Sequence, residues 1–236
     1  MDTSFYTAVR GAMTQQAHMD ILSNNIANVN TNGYKTKTGS FLDLMYFNMQ
    51  DRRETDTRIK SGTGALVQRT DTDFTGGTFI NTGDRFDYAI QGRGFFMIQD
   101  PADNSITYTR NGNFALSQRQ DGFYLVDAQG RLVLDAGRNP IRYINGELVS
   151  TPGIFDFVHT NGMASVGNNS FVPTTKNGAV MIAADATLVP GCLESSNVDM
   201  ADEMSKVIIS SRAYSYMLRM VQTSDEVEQT INGLRG

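Results

Sequence analysis

Apolar residues recur at helical spacing at both ends of the chain. In the first segment, residues 2–29, they are separated by three, four or seven positions, and small polar residues near Ser4 can cap a helix start. The residues that form this pattern are Phe5, Ala8, Ala12, Met19, Leu22, Ile26 and Val29. They predict a helix that begins near residues 2–4 and ends near residues 30–33, where Gly33 can close it.

A second helix is predicted over residues 198–234, and it carries apolar residues on two sides. Ser196 followed by Asp199 fits a capping box at its start. One seam holds Met200, Met204, Val207, Tyr214, Leu218 and Val221, and the other holds Ala213, Met217, Met220, Val227, Ile231 and Leu234. A partner helix of about 28 residues cannot cover two sides of a helix of about 37, so further copies or subunits are expected. A two-helix stalk that only closes the domain is the alternative.

Between the two predicted helices, the spacing of apolar residues no longer follows the helical period. Residues 36–73 predict an extended linker, in which residues 41–47 fit a short helix or a packed extended segment, and residues 51–63 are expected to be extended or mobile. Turn signals such as Asn145-Gly146 then separate short aromatic and aliphatic runs. The predicted strands are residues 86–90, 95–99, 106–109, 123–126, 131–134, 154–158 and 180–182. They predict a single β domain over residues 74–190, barrel-like or sandwich-like. The expected fold class is therefore α+β.

Composition excludes several classes of function. The chain has 236 residues, a formal net charge of −5 and one cysteine, Cys192. Negative charge argues against nucleic-acid binding, which requires a basic face. One cysteine can form neither an intrachain disulfide nor a cysteine-based zinc site. Because there is no apolar run of about 20 residues and no secretory signal sequence, we expect no membrane insertion and, if the protein is exported, a dedicated route.

Residues that could carry out catalysis are few. The two histidines, His18 and His159, are expected at a surface or an interface, and motifs for a serine nucleophile, a zinc protease or a phosphate loop do not occur. Gly92-Arg93-Gly94 is expected to form a turn before a strand, and residues 100–104 a surface turn rather than a calcium site. We therefore expect no enzyme activity, no cofactor and no metal. Scattered carboxylates leave a β domain that binds or hydrolyses cell-wall carbohydrate as an alternative.

Three segments resemble the family of bacterial flagellar rod and hook proteins. Residues 23–35 read Ser-Asn-Asn-Ile-Ala-Asn-Val-Asn-Thr-Asn-Gly-Tyr-Lys, and residues 193–200 read Leu-Glu-Ser-Ser-Asn-Val-Asp-Met. Residues 82–96, with Tyr108-Thr109-Arg110-Asn111-Gly112 after them, resemble the opening of the β domain in such proteins. The matching segments are spread over nearly the whole chain and occur in the same order as in the family.

The resemblance implies a structural function. In such proteins the terminal helices form the inner coiled-coil layer of a hollow helical tube, and the β domain lies outside. The implied protein is a subunit of the basal-body rod that transmits torque, lies in the cell envelope and contacts its own copies and neighbouring rod or hook subunits. The flagellar type III apparatus is the implied export partner. A non-polymerising scaffold or cap is a further alternative.

The resemblance also implies positions for assembly. The residues expected to shape the exit of the first helix are Asn25, Asn28, Thr31 and Gly33, with Asn28 and Gly33 expected to cap it. Asn197, Glu203, Arg212 and Tyr214 are expected on the inner helix. The predicted assembly residues are Phe5, Ala12, Met19, Leu22, Asn25, Ile26, Asn28, Thr31, Gly33, Asn197, Met204, Val207, Arg212, Tyr214, Leu218, Val221, Ile231 and Leu234.

The residue patterns predict the domain organisation, and the resemblance limits the subtype. We predict an assembly helix over residues 1–35, a linker over 36–73, the β domain over 74–190 and a second assembly helix over 191–236. One β domain of moderate size leaves two members of the family, the distal rod protein and its proximal sister. The first eight residues favour the sister.

Overall fold

The computed structural model describes residues 3–44, 46–48, 60–62, 64–183 and 185–235. Helix α1 spans Thr3–Ala27, helix α2 spans Met200–Arg235, and the described elements between them are strands. The fold class is therefore α+β, as predicted. The chain forms two compact units, one made of α1, residues 37–71 and α2, the other of residues 28–36 and 72–198.

Four strands accompany the helices in the first unit. They are β1 (Lys37–Asp43), β2 (Tyr46–Asn48), β3 (Lys60–Gly62) and β4 (Ala65–Thr72), and they pair as β1 with β4 and β2 with β3. The Thr14 hydroxyl donates to the Ala65 carbonyl (2.8 Å), which attaches β4 to α1. Of the two interpretations of residues 41–47, the extended one is confirmed for the described positions. Residues 45, 51–59 and 63 lie outside the described residues.

The end of α1 and the start of α2 differ from the prediction. Helix α1 ends at Ala27 rather than at residues 30–33, because the next residues form turns in which the Thr31 N–H donates to the Asn28 carbonyl (3.1 Å). At the start of α2, the capping group is Asp199 rather than Ser196. The Asp199 carboxylate accepts the N–H groups of Ala201 (2.9 Å) and Asp202 (3.2 Å), which satisfies two free donors of the first turn.

The second unit is built from antiparallel strands. They are β5 (Phe79–Asn81), β6 (Tyr88–Gln91), β7 (Phe95–Gln99), β8 (Ile106–Thr109), β9 (Ala115–Arg119), β10 (Gly122–Val126), β11 (Leu132–Val133), β12 (Arg142–Ile144), β13 (Glu147–Leu148), β14 (Ile154–Phe157), β15 (Ala164–Gly167), β16 (Ser170–Val172), β17 (Val180–Ile182), β18 (Thr187–Pro190) and β19 (Cys192–Glu194). The large sheet runs β13-β12-β10-β11-β7-β8-β16-β15, with β14 also paired to β7 and to β17, and β9 to β10. Two small ribbons pair β18 with β6 and β19 with β5.

Strand β7 separates two hydrophobic clusters. Phe96 and Ile98 pack into one cluster with Leu125, and the alternate residues Phe95 and Met97 pack into the other. Because side chains alternate across a strand, a continuous apolar run is what a strand buried on both faces requires. Each of the seven predicted strands overlaps an observed one, and three of them, β7, β8 and β17, have the predicted bounds.

Gly33 is held in a left-handed conformation close to another part of the second unit. Its φ is +68°, and a Cβ built on it would lie 2.6 Å from the Arg110 carbonyl carbon. Its N–H donates to the Glu194 carbonyl (2.7 Å). The left-handed conformation expected of Gly33 is confirmed, but its role as the helix cap is wrong, because α1 ends six residues earlier. Close backbone approach is the reason for glycine here.

Substituting alanine for Gly33 and, separately, for Gly83 distinguishes this steric constraint from the cost of the left-handed conformation. Gly83 has nearly the same φ, +69°, but a Cβ there would meet nothing within 4 Å. We expect Gly83→Ala to lower the free energy of unfolding by about 1 kcal/mol. Gly33→Ala should cost about 1–3 kcal/mol more, because the backbone near Arg110 must move. Urea unfolding of both variants measures the difference, and equal losses would contradict the close-approach explanation.

Candidate assembly surfaces

Helices α1 and α2 meet at four contacts that are spaced by seven residues on both helices. The numbering rises along α1 as it falls along α2, so the helices are antiparallel. The contacting pairs are Ser4 with Ser224, Gly11 with Met217, His18 with Ser210, and Asn25 with Glu203. Seven residues are close to two helical turns, so the four contacts lie along one face of each helix. We call these four contacts the helix ladder.

Three contacts of the helix ladder are polar, and one of them contains a buried carboxylate. The Asn25 amide donates to Glu203 Oε2 (2.9 Å) and to the Lys37 carbonyl (2.8 Å), and its oxygen accepts the Lys37 N–H (3.0 Å). Glu203 is 2% exposed, and Lys206 Nζ donates to its other oxygen (3.0 Å). The carboxylate is thus bonded on both oxygens, as a buried charge requires. Asn25 also ties β1 to the end of α1.

At Gly11 the two helices approach closely enough that an added side chain would crowd Met217. A Cβ built on Gly11 would lie 3.1 Å from Met217 Sδ. Glycine inside a helix is unfavourable by roughly 0.5–1 kcal/mol relative to alanine. Its presence here is explained by the space that the Met217 thioether occupies.

His18 lies in the ladder rather than on a free surface. Its Nδ1 is 2.9 Å from the Ser210 hydroxyl, and its ring meets Phe41 edge to face with 5.1 Å between ring centres. Burial lowers the pKa of His18 below its usual value of 6.5; the Glu203 carboxylate opposes this shift and Lys206 adds to it. The neutral imidazole is therefore the form that the folded helix pair favours.

Acidification should weaken the helix pair through His18. In the unfolded chain His18 takes up its proton near pH 6.5, whereas the folded state resists protonation until the pH reaches its lowered pKa. Stability should therefore fall as the pH drops from about 6.5 and stop falling below the folded pKa. His18→Gln keeps a group that can bond to Ser210 and should flatten this dependence. Helical circular dichroism melts between pH 5 and 7.5 test it, with exposed His159→Gln as the control.

Two apolar surfaces on α2 lie on either side of the ladder face. At 100° per residue, one side holds Met200, Met204, Ile208 and Leu218, and we call it the first flank. The other holds Ile209, Tyr216, Met220, Val227 and Leu234, and we call it the second flank. Each of these side chains is exposed, for example Ile209 by 67%. The expectation that one partner helix leaves apolar surface on α2 uncovered is thus met in the described residues.

A buried cluster of charges forms the polar centre of the second unit. Glu194 Oε1 accepts from Lys35 Nζ (2.7 Å) and from the Gly77 N–H (2.9 Å), and its Oε2 accepts from Arg110 Nη1 (3.2 Å). The side chains of Lys35 and Glu194 are fully buried, and that of Arg110 is nearly so. We call Lys35, Glu194 and Arg110 the Glu194 cluster.

The Glu194 cluster joins segments that are distant in sequence. Lys35 Nζ also donates to the Thr75 carbonyl (2.6 Å), and Arg110 Nη2 donates to the Gly92 carbonyl (2.7 Å). Burial lowers the pKa of Lys35, and the Glu194 carboxylate opposes this shift. The segment after α1 and the strand before α2 are therefore fixed to each other by charge-assisted bonds inside one unit.

Neutralising Glu194 should unfold the second unit far more readily. Glu194→Gln keeps the side-chain shape but leaves Lys35 and Arg110 buried without an opposite charge. We expect a loss of about 3–5 kcal/mol, the usual cost of breaking a buried pair. Glu147→Gln, at an exposed position of β13, should change stability by less than about 0.5 kcal/mol. Urea titration reports both, and a Glu194→Gln midpoint equal to that of the control would refute the role of the cluster.

The predicted assembly residues fall into three groups by exposure. Buried are Ala12, Leu22, Asn25 and Gly33; half-buried are Phe5, Met19, Ile26, Asn28, Thr31, Asn197, Val207, Tyr214 and Val221; exposed are Met204, Arg212, Leu218, Ile231 and Leu234. The placement of Asn197 on the inner helix is wrong, because α2 begins at Met200. Instead the Asn197 oxygen accepts the Thr36 N–H (2.8 Å), and its amide donates to the Asp73 carbonyl (3.0 Å).

Sequence reasoning missed the polar and small members of the ladder. Apolar periodicity passes over Ser4, Gly11 and Ser210, because these residues are not apolar. The signal that could have found them is the seven-residue recurrence of small or polar residues in both terminal segments. Lys35, Glu194 and Arg110 all lie in the segments that carry the family resemblance, but no pattern pairs charges so far apart in sequence.

Neither a metal-binding cluster nor a membrane-spanning helix is present among the described residues. Within those ranges no three side chains of His, Cys, Asp or Glu are grouped so that they could hold a metal ion. No described helix is both long enough and apolar enough to cross a bilayer. Residues 100–104 form a turn in which the Asp100 carboxylate accepts the Ala102 N–H (2.9 Å).

Comparison with known proteins places both helices in one family. Residues 5–35 match the family described as flagella basal body rod protein, and residues 189–234 match the C-terminal region of the flagellar basal body rod FlgEFG proteins. The flagellar basal-body rod protein FlgG of Buchnera aphidicola is 30% identical over 99% of this chain and 100% of its own length. FlgG of Borreliella burgdorferi is 30% identical over 100% of this chain and 99% of the relative.

These matches settle the family. FlgF of Mesorhizobium japonicum, also named a basal-body rod protein, is 28% identical over 98% of both chains. The chain belongs to the family of flagellar basal-body rod proteins. It is a structural protein of the bacterial flagellum and part of the basal body. Relatives with two different names match to a similar extent, so the choice between the two larger rod proteins stays open.

Proposed function

We propose that this chain polymerises through its terminal helices into the hollow drive shaft of the rod and transmits torque along it. The observation that carries this proposal is the pair of exposed apolar flanks on α2. An apolar surface of this kind on a monomer is a site for contact with another protein. Because the flanks lie on two sides of one helix, each copy can contact neighbours on both sides, as a polymer requires.

The helix ladder supports the proposal that α1 and α2 pair as a coiled coil. A seven-residue repeat is the spacing at which two helices keep the same faces together over their whole length. In this proposal the paired helices form the inner layer of the tube, and the β-rich unit lies outside it. The ladder face serves the pair, and the flanks serve contacts between copies.

The exposure of the predicted assembly residues divides their roles. We infer that Met204, Arg212, Leu218, Ile231 and Leu234 contact neighbouring subunits, since they are exposed on α2. Ala12, Leu22 and Asn25, which are buried, support the helix pair within one chain. Arg212 supplies charge between apolar positions, which favours one alignment of neighbours over others.

Further partners and the location of the protein follow from the family. We propose that neighbouring rod or hook subunits bind the ends of the polymer, and that the flagellar type III apparatus exports the chain. The rod would then span the periplasm. The predicted boundaries at residues 35, 73 and 190 remain proposals.

A single added charge on the second flank tests the proposed function. In a strain that lacks the gene for this chain, the unchanged protein should restore motility and complete basal bodies. Ile209→Glu should restore neither, because polymerisation would bury an unpaired carboxylate at a cost of several kcal/mol, about 3–5 by the precedent of broken buried pairs. Motility and electron microscopy of isolated basal bodies are the measurements.

The matched control is Val149→Glu. It makes nearly the same change at a position of the second unit that is 66% exposed, away from both flanks of α2. We expect it to restore motility. Purified Ile209→Glu should melt at the temperature of the unchanged chain, which separates assembly from folding. Full motility with Ile209→Glu, or basal bodies that contain the chain only at their tip as a cap, would contradict polymerisation through this flank.

A further inference from the structure

Helix α2 extends beyond the described part of α1. Ser4 lies opposite Ser224, so α2 continues past the described start of α1. Residues 226–235, which we call the overhang, add about 15 Å at 1.5 Å per residue. The overhang carries Val227, Ile231 and Leu234 in exposed positions, and Leu234 is 84% exposed. Ile231 follows Ser224 by seven residues and so continues the ladder face without an α1 residue opposite it in the described chain.

An open apolar groove lies elsewhere in the same unit. Its volume is about 790 Å3, and its walls come from α1, β1, the end of β3, the start of β4 and the middle of α2. The apolar residues that line it are Ala8, Phe41, Leu42, Ala65, Met217 and Met220. Methionine suits such a wall, because its flexible side chain adapts to the shape of what it contacts. Phe41 and Leu42 are exposed, so the groove is accessible from outside.

The overhang cannot enter the groove of its own molecule. Met217 and Met220 precede the centre of the overhang by roughly 13 residues on the same continuous helix, which is about 20 Å along the axis. A helix does not fold back on itself over that distance. One molecule therefore carries an apolar projection and an apolar recess that it cannot bring together by itself.

We propose that the overhang of one copy packs its Val227, Ile231 and Leu234 side chains into the groove of a second copy. The spacing of these three residues, four and then three positions, places them along one side of a helix, as in other helices that bind grooves. The proposal rests on the self-association proposed above and names its contacting surfaces.

One pair of opposite charges favours this pairing in one orientation. The overhang and the residue before it carry Asp225, Glu226 and Glu228. Arg10 is exposed on α1 with its side chain beside Gly64, whereas Asp43 lines the β1 wall, so the acidic residues are expected on the Arg10 side of the groove. Opposite charges at the rim of an apolar contact favour one orientation over others. Because projection and recess are different surfaces, the contact is head to tail, and repetition of it builds an open chain of copies rather than a closed dimer.

Cross-linking between two different single-cysteine chains tests the pairing. In a Cys192→Ser background, one full-length chain carries Leu234→Cys in the overhang and the other carries Leu42→Cys in the groove. A short bismaleimide is added to the mixture at a concentration at which the chain self-associates. We expect mixed dimers at a yield about tenfold above that of the control. A difference of about 1.4 kcal/mol in the free energy of association between the two pairs of surfaces would give this ratio.

The control replaces Leu234→Cys by Ile208→Cys, at an exposed apolar position of the first flank. Equal yields for the two mixtures, or no mixed dimer in either, would overturn the proposal. A chain with both Leu42→Cys and Leu234→Cys should give a ladder of products beyond the dimer, and a product that stops at the dimer would overturn the head-to-tail contact. Electron microscopy of the same samples separates this contact from the proposed function. If polymers form but the cross-link does not, only the contact between overhang and groove is wrong. If no polymers form, the result counts against polymerisation as well.

Discussion

The pairing of α1 with one face of α2 is the constraint on which the rest of the assembly region depends. α1 is 25 residues long and α2 is 36, so the shorter helix covers one face of the longer helix over part of its length. What remains uncovered is determined by that pairing: the two flanks beside the ladder face and the overhang beyond it. The apolar surfaces available to other copies are thus the parts of α2 that its contact with α1 leaves uncovered.

The second unit depends on a different kind of interaction. Its strands have apolar cores on both faces of β7, and such cores are tolerant of small shifts. The Glu194 cluster is directional, because a buried carboxylate with three donors accepts only a narrow range of geometries. We infer that hydrophobic burial stabilises this unit, whereas the cluster fixes where the chain enters it after α1 and leaves it before α2.

The sequence predicted elements better than it predicted their contacts. Helical periodicity located both helices, and apolar runs with turn signals located seven of the strands, because these patterns report directly on which residues are buried. The sequence alone could not locate the end of α1, since the turns of residues 28–33 depend on hydrogen bonds such as that from Gly33 to Glu194, which is distant in sequence. It assigned Asn25 to the helix exit, but the Glu203 carboxylate opposite it is 178 positions away, a separation that no local pattern reports.

The repeat of the helix ladder has a consequence for misalignment. Sliding α1 by seven residues would preserve the packing period, so the apolar faces alone do not forbid it. After such a slip the Asn25 amide would stand opposite Ser210, without the Glu203 carboxylate to which it donates, and the His18 imidazole would stand opposite the apolar Met217 side chain. An unsatisfied buried polar group costs about 1–3 kcal/mol, and more when charged. The unlike polar pairs therefore favour a single alignment of α1 and α2. That alignment fixes the length of the paired region and the part of α2 that extends beyond it.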